Sequence, residues 1–482
     1  MSHRTLLSSA ELRRSAVGTA ATATDAAAAR GTGTGTGGSI AKHRYHAQPP
    51  WTIDAVIDND AIRTLFQPVV HLASGAIVGF EALSRGPAGS LLETPMALLA
   101  AAAKVGRLGE LDWLCRTQAT RAAADADLHP DLSWLINVEP AGLVIDCPPR
   151  LAAEYMRSRT KLRVILEVVE RDVEAHVADL LYATDQARRD SWGIALDDVG
   201  ADQSSLALLP FLRPDVVKLD MSLVRSAPCA AAAAITAAVR AYAERTGAVI
   251  LAEGIETLEQ EQLAQVFGAT YGQGFRYGRP GPLPSTVPAP GHVIPRRGGL
   301  VPLCGRTPFE VLTATSEPQR ARRADLLHIS QHLEHQAASG AESSVVLACF
   351  QDRSYFSASN QRRYHELAQL NAFTVVLAAG LDAKAEPRFR TAPIGPGTGL
   401  EREWIVIVIS PHYAAAFVAR DREDTLSDGE RQFDYVFTHD RDCVIAAARS
   451  FLQNVDRNSV TADDARIFDA AVNTEAFASV ML

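Results

Sequence analysis

No apolar stretch in this chain reaches the 18 or more residues a membrane-spanning helix needs; the longest, around Ala230–Ala234, is mostly alanine. Cysteine is scarce, six in 482 residues, and Cys115, Cys147, Cys229, Cys304, Cys349 and Cys443 lie too far apart for any CxxC pair. That spacing leaves no zinc knuckle or dithiol redox motif, and points to isolated, reduced thiols in a cytoplasmic protein. Positive charge is not in excess either: 47 Lys and Arg face 56 Asp and Glu, a net charge of −9. A dominant basic face for duplex nucleic acid is therefore not expected, although a local basic pocket is still permitted. Arg4, Glu11, Arg13 and Arg14 interrupt the start of the chain, which does not read as a signal peptide. No short-period repeat is present. What remains is 47% hydrophobic and 21% charged, a globular composition long enough for two or three domains.

Residues 1–48 are dominated by Ala, Thr and Gly, with a GTGTGTGG run at 31–38. Such residues bury too little apolar area to offset chain entropy, so a disordered tail is expected. From 50 to 283, short apolar runs (Trp134–Val138, Val164–Val169, Gly193–Leu196, Val216–Leu219, Val249–Ala252) alternate with helix-like segments such as Ala97–Gly106, Leu111–Ala124 and Ala230–Arg245. Strand alternating with helix over that length predicts an α/β fold with a parallel sheet closed as a (β/α)8-type barrel. A Pro/Gly-rich stretch over 284–304 reads as a linker. A second, smaller α/β unit follows over 305–455. Its expected strands are Ser344–Phe350, Phe373–Ala379, Trp404–Ser410, Ala414–Ala419 and Tyr435–Thr438, and its expected helices Ala321–Ala337, Gln361–Leu370 and Asp442–Gln453. A C-terminal tail, helical or loose, is expected over 456–482.

The chemistry gathers where the apolar runs stop. Each stops at a carboxylate or amide: Phe80-Glu81, Ile136-Asn137, Leu166-Glu167, Leu196-Asp197-Asp198, Lys218-Leu219-Asp220, Ala252-Glu253, with Glu256 three residues on. Parallel barrel strands all end on one face, so these side chains converge on one pocket. Acids packed that closely raise one another's pKa unless cations compensate them. With oxygen ligands and no His or Cys among them, the fitting ions are hard: Mg²⁺ or Mn²⁺, less readily Ca²⁺. The Asp197-Asp198 pair suits the bridging of two ions, as in two-metal phosphodiester hydrolysis, and Lys218 among acids suits a role toward a water or a phosphate oxygen. Singly, each residue reads equally as a loop acid or a helix cap; the ordered set is what carries weight.

Glu81-Ala82-Leu83 with Arg85 resembles the signature of the EAL domain family. The resemblance runs over about 230 residues through Gln67-Pro68, Ile136-Asn137, Leu166-Glu167-Val168-Val169-Glu170, Asp197-Asp198, Lys218-Leu219-Asp220, Glu253-Gly254-Ile255-Glu256-Thr257 and Gly272-Gln273-Gly274-Phe275. It implies a barrel-fold phosphodiesterase that hydrolyses cyclic di-GMP to linear pGpG with two Mg²⁺ or Mn²⁺ ions. By that resemblance Glu81, Asn137, Glu167 and Asp197 hold one metal, and Asp197 and Asp198 reach the second. Lys218 and Glu253 position or deprotonate the water, and Asp220 supports the lysine and the metal shell. Glu170 and Glu256 anchor neighbouring loops, and Gln67, Arg85 and Gln273 contact the nucleotide.

Two positions depart from the family pattern. The usual Phe-Gly and Thr-Gly-Tyr-Ser-Ser after the Asp pair are here Val199-Gly200-Ala201-Asp202-Gln203-Ser204-Ser205, and the usual aromatic after Arg85 is Gly86. Because some EAL domains are inert receptors, the altered 199–203 loop keeps open a second reading, a cyclic di-GMP receptor signalling through its other domain. A third is a scaffold that binds no nucleotide. The C-terminal unit resembles the DICT sensory domain, whose ligand or protein partner the sequence does not identify. The family analogy also raises a homodimer.

Overall fold

The computed structural model of the protein describes residues 51–455 except Val144, 201–205, 207–208, 226–228, 298–305, 341–342, Pro387 and 425–426, with the backbone alone at Pro140, 169–179 and Ala385. The expected tails and most of the loop after the Asp pair lie outside the described residues.

Eight strands close into a barrel in chain order: β1 Arg63–His71, β2 Ile77–Arg85, β3 Ser133–Asn137, β4 Arg163–Val169, β5 Gly193–Val199, β6 Val216–Leu219, β7 Val249–Ala252 and β8 Tyr271–Gln273. The expected runs and helices are all present, the helices as Pro95–Lys104, Leu108–Asp125 and Ala230–Thr246. Thr94 caps the first of these ahead of Pro95, and Gly247, at φ 71°, closes the last in a left-handed conformation open to glycine. The wholly parallel barrel needs one correction. Strands β2 to β8 are parallel, but β1 is antiparallel to both its neighbours, β2 and β8. Residues 72–76 are all that join β1 to β2, and a parallel return needs a crossover of about a dozen residues or more. Gln67 therefore lies within a strand, directly opposite Glu81.

One end of the barrel interior is filled by Val69, Val78, Leu135, Ile165, Ala195, Val216, Leu251, Tyr271 and Ile294. Ile294 comes from the Pro/Gly-rich stretch and is fully buried. Arg163 Nη2 donates to its carbonyl at 3.0 Å, and the amide of Arg297 donates to Asp215 Oδ1 at 2.9 Å. The stretch thus continues to pack on the barrel as far as Arg297, beyond the boundary expected at 283. One isoleucine of the stretch supplies the plug.

The second domain is an eight-stranded sheet in the order β12-β13-β11-β10-β14-β15-β16-β9. Its strands are β9 Gln319–Arg322, β10 Val345–Asp352, β11 Phe373–Ala379, β12 Lys384–Glu386, β13 Phe389–Pro393, β14 Glu403–Ile409, β15 Ala414–Asp421 and β16 Gln432–Thr438. Alternate residues feed two layers. Val346, Ala348 and Phe417 pack under the helices Arg323–Ser339 and Ala358–Leu370. Val345, Leu347 and Val418 pack on the helices Pro308–Thr313 and Arg441–Leu452. The helix expected from Ala321 starts at Arg323, because Ala321 is still paired in β9 with Phe433. Among the described residues no helix is long and apolar enough to cross a membrane.

Candidate active site

At the barrel end opposite Ile294, the ammonium of Lys218 is surrounded by carboxylates. Its Nζ lies 2.6 Å from Glu253 Oε1, 2.7 Å from Glu167 Oε1, 3.0 Å from Asp197 Oδ1 and 3.7 Å from Glu81 Oε2. The residues come from β2, β4, β5, β6 and the position after β7, so the convergence expected of strand ends is realised. Lys218 is almost completely buried, at 1% side-chain exposure, and Glu167 is at 0%.

Asp197 and Asp198 are adjacent in a strand and would normally face opposite ways. Here the β5–β6 pairing slips between Leu196 and Val199, and Asp198 takes a left-handed conformation at φ 57°. This bulge turns both carboxylates to the same side. Asp197, Asp198 and Glu253 each offer an oxygen within 4.8 Å of the others, which suits a cation. A non-glycine residue held at positive φ is strained, and such strain clusters at sites where geometry matters.

The amides are arrayed beside the acids. Asn137 Nδ2 donates to Glu81 Oε1 at 3.2 Å. Gln273 Nε2 donates to Glu81 Oε2 at 2.5 Å and to Gln67 Oε1 at 3.1 Å, and Gln67 Nε2 donates to the Gly278 carbonyl at 3.1 Å. Gly274 is required next to Gln273, since a Cβ there would meet the Ile255 carbonyl at 2.1 Å. Arg85 is half-buried and donates to the Ser84 carbonyl at 2.9 Å. Gly86 has a structural cause: a Cβ would lie 2.0 Å from the Leu92 carbonyl, and Arg63 Nε holds the Gly86 carbonyl at 3.0 Å. An aromatic side chain does not fit this turn without rebuilding it.

Two expected residues take roles at the edge of the group. Asp220 is buried, but its Oδ1 accepts from the Ser222 amide at 2.9 Å and caps the short helix Met221–Arg225, outside the three-carboxylate cluster. Glu256 pairs with Arg225 at 2.7 Å on the rim, a partner that no sequence pattern marks. Glu170 begins the helix Glu170–Arg189; its side chain lies outside the described residues.

Electrostatics separates the roles. Burial alone would discharge Lys218, but the charges of Asp197, Glu167, Glu253 and Glu81 outweigh it and hold the ammonium well above the usual lysine range. It is therefore a cation within the group. Burial, then the Glu81 charge, pushes Glu167 well up; burial, then Asp197, does the same to Glu253. Neither buried oxygen of Glu167 has a well-aligned hydrogen bond, although the ammonium is close. One lysine cannot neutralise Glu81, Glu167, Asp197 and Glu253, which all lean on it, so the donor set fits added divalent cations with a preference for oxygen ligands. Glu81, Asn137, Glu167, Asp197 and Asp198 would hold them, with Glu253 within reach.

Residues 52–280 match the family model of the EAL domain, and residues 309–422 match that of the "Sensory domain in DIguanylate Cyclases and Two-component system", the DICT domain. The chain thus carries an EAL domain followed by a DICT domain, as its motifs lead one to expect. It is 30% identical over 236 residues to the probable cyclic di-GMP phosphodiesterase PdeB of Escherichia coli, covering 48% of this chain and 45% of that protein. It is also 30% identical over 235 residues to a cyclic di-GMP phosphodiesterase of Pseudomonas aeruginosa, covering 47% of this chain and 39% of the relative. These matches therefore span less than half the length of either relative. A manganese/cy-diGMP complex of BlrP1 from Klebsiella pneumoniae is similar at 29% identity and a TM-score of 0.41, covering 46% of this chain and 56% of that one.

Proposed function

We propose that this protein is a phosphodiesterase that hydrolyses cyclic di-GMP to linear pGpG, with two Mg²⁺ or Mn²⁺ ions at the open end of the barrel, and that the C-terminal domain regulates it. The observation that carries this reading is the crowding of four carboxylates on the single ammonium of Lys218, with the Asp197-Asp198 bulge beside it. The ions, when bound, would neutralise charge on the scissile phosphate and acidify a water.

The chain's own groups account for the rest. Arg85 and the second N–H of Gln67 offer donors to a nucleotide, and Gln273, whose two N–H groups are spent on Glu81 and Gln67, offers its unpartnered carbonyl as an acceptor. Lys218, kept charged by its four carboxylates, orients a water through its N–H groups. Glu253, with a raised pKa and the most exposed of those four side chains at 17%, takes the water's proton. The water oxygen bonds to phosphorus, the bond to the 3′-oxygen breaks, and that oxygen takes a proton from solvent water and leaves as a hydroxyl, while Glu253 gives its proton to the hydroxide so formed. Asp220 fixes the turn after Lys218.

Incubation with cyclic di-GMP and Mn²⁺, followed by chromatography for pGpG, tests the reading, with Asp197→Ala as the control. Release of pGpG by the wild type alone supports it. Binding without turnover converts the protein to a receptor, and absence of binding to a scaffold.

A further inference from the structure

The barrel and the second domain share one continuous apolar core. Leu180, Leu181, Leu209, Phe211 and Leu212 of the barrel belong to the same buried cluster as Phe309, Leu312, Phe451, Leu452 and Val455. Within that apolar seam lies a charged pair. Arg449, on the helix Arg441–Leu452, donates through Nη2 to Asp185 and through Nη1 to the Phe211 carbonyl, and its side chain is 6% exposed. A buried charge is costly to desolvate and its partners are directional, so such a pair fixes one docking geometry more than it adds stability.

Its two partners sit toward the plugged end of the barrel, on elements that lead to the acidic site. Asp185 belongs to the helix Glu170–Arg189, which follows β4 and its Glu167 without an intervening residue. Phe211 ends in the turn that runs through Arg213 and Asp215 into β6 and its Lys218. One helical turn after Asp185, Arg188 donates to the Arg213 carbonyl at 2.7 Å and pairs with Asp215. Helix and turn are thus tied at two points, Arg188 from within the barrel and Arg449 from the other domain. At the far ends of the elements they tie, Glu167 and Lys218 are 2.7 Å apart.

We propose that Arg449 is a positioning residue of the C-terminal domain that sets the spacing between the strand carrying Glu167 and the strand carrying Lys218. The kinetic consequence rests on the phosphodiesterase reading; the structural one does not. Beside the apolar contacts of the seam, this guanidinium is a directional link from the second domain to those two elements, and a change that lifts the helix Arg441–Leu452 loosens the site without touching it.

The test uses the full chain with Arg449→Met, Asp185→Asn and Arg449→Lys. Amide hydrogen exchange at 163–169 and 216–219 should quicken in Arg449→Met and Asp185→Asn, with 77–85 as an unchanged control. The Mn²⁺ concentration for half-saturation, read by calorimetry, should rise about three- to tenfold, the scale of couplings carried by packed elements. Arg449→Lys keeps the pair with Asp185 but reaches one partner at a time, so it should fall between. KM for cyclic di-GMP should move less than kcat. If wild type does not hydrolyse the nucleotide but the exchange changes appear, the phosphodiesterase reading falls and the positioning role stands. Exchange confined to 441–452 and its immediate contacts with unchanged Mn²⁺ binding, or unfolding of all three variants, overturns it.

Discussion

Both ends of the barrel bury charge, and they treat it in opposite ways. At the plugged end, Asp215 is 1% exposed and every direction around its carboxylate is answered: Arg188 pairs with it, the amide of Ile194 donates at 2.8 Å and that of Arg297 at 2.9 Å. At the open end, four carboxylates lean on one ammonium, and Glu167 keeps two buried oxygens without an aligned donor. A carboxylate that serves the fold is matched by its neighbours. One that serves a ligand is left short of positive charge until the ligand arrives, at a cost in stability. The contrast separates two acids that look alike in sequence, Asp197 and Asp215, each beside an apolar run.

Substitution at the plugged end should break the fold most. Asp215→Ala strands Arg188, whose side chain is 2% exposed, and should cost about 3–5 kcal/mol, seen as a large drop in melting temperature. Whatever remains folded should keep its turnover per molecule. A loss of activity without a loss of stability would erase the distinction between the two ends.

The reverse is expected at the open end. Asp197→Ala or Glu81→Ala should lower hydrolysis at least about 100-fold, roughly 2.7 kcal/mol of transition-state stabilisation, while the melting temperature without metal holds or rises. Retention of more than a few per cent of activity in either variant removes that residue from the metal shell.

How much of this was legible in the sequence follows from where the signals lie. Val-, Ile- and Leu-rich runs such as Val164–Val169 and Val216–Leu219 announce buried strands, and the polar residue ending each announces the pocket. The direction of β1 is set by a five-residue connection and not by hydrophobicity. β8, Tyr-Gly-Gln, has no apolar run, and β9, Gln-Arg-Ala-Arg, is a polar edge strand; neither differs in composition from a loop. At the site the acids were readable and their geometry was not. Nothing in Leu196-Asp197-Asp198-Val199 reveals the slipped pairing or the φ of Asp198. Nothing in Lys218-Leu219-Asp220 reveals that Asp220 also caps the helix that follows through the Ser222 amide. The Pro/Gly stretch reads as a spacer because a single isoleucine gives no pattern, although Ile294 seals the barrel.

Ile294→Ala therefore sharpens the comparison from the apolar side. It should cost about 2 kcal/mol, at the low end for an isoleucine truncated to alanine, because the plug lies at the rim of the core, where neighbours can settle. The change should appear in chemical denaturation with activity intact. A neutral effect would mean that the stretch rests on the barrel without sealing it.

The smallest expected effect bears most directly on why the open end is left unsatisfied. The carboxyls of Glu167 and Glu253 are held above their ordinary range chiefly by burial. A carboxyl whose pKa is higher folded than unfolded binds its proton more tightly in the native state. Its stabilising contribution is complete below the unfolded value, about 4.3, and fades as pH rises through the folded value. Lys218, raised from the already high lysine range, contributes nothing to the slope near neutrality. The metal-free protein should therefore lose stability as pH is raised from about 5 toward 8. Glu253→Gln removes one of the two carboxyls and one repulsive charge, so it should flatten that slope and gain about 1 kcal/mol at the upper end. Saturating Mn²⁺ should reverse the slope in the wild type, because the ion binds the deprotonated site. Melting temperatures across this range, with and without Mn²⁺, test all three expectations. A metal-free slope that stays flat in the wild type would mean that the carboxylates are already matched, and that the two ends of the barrel do not differ in the way their contacts imply.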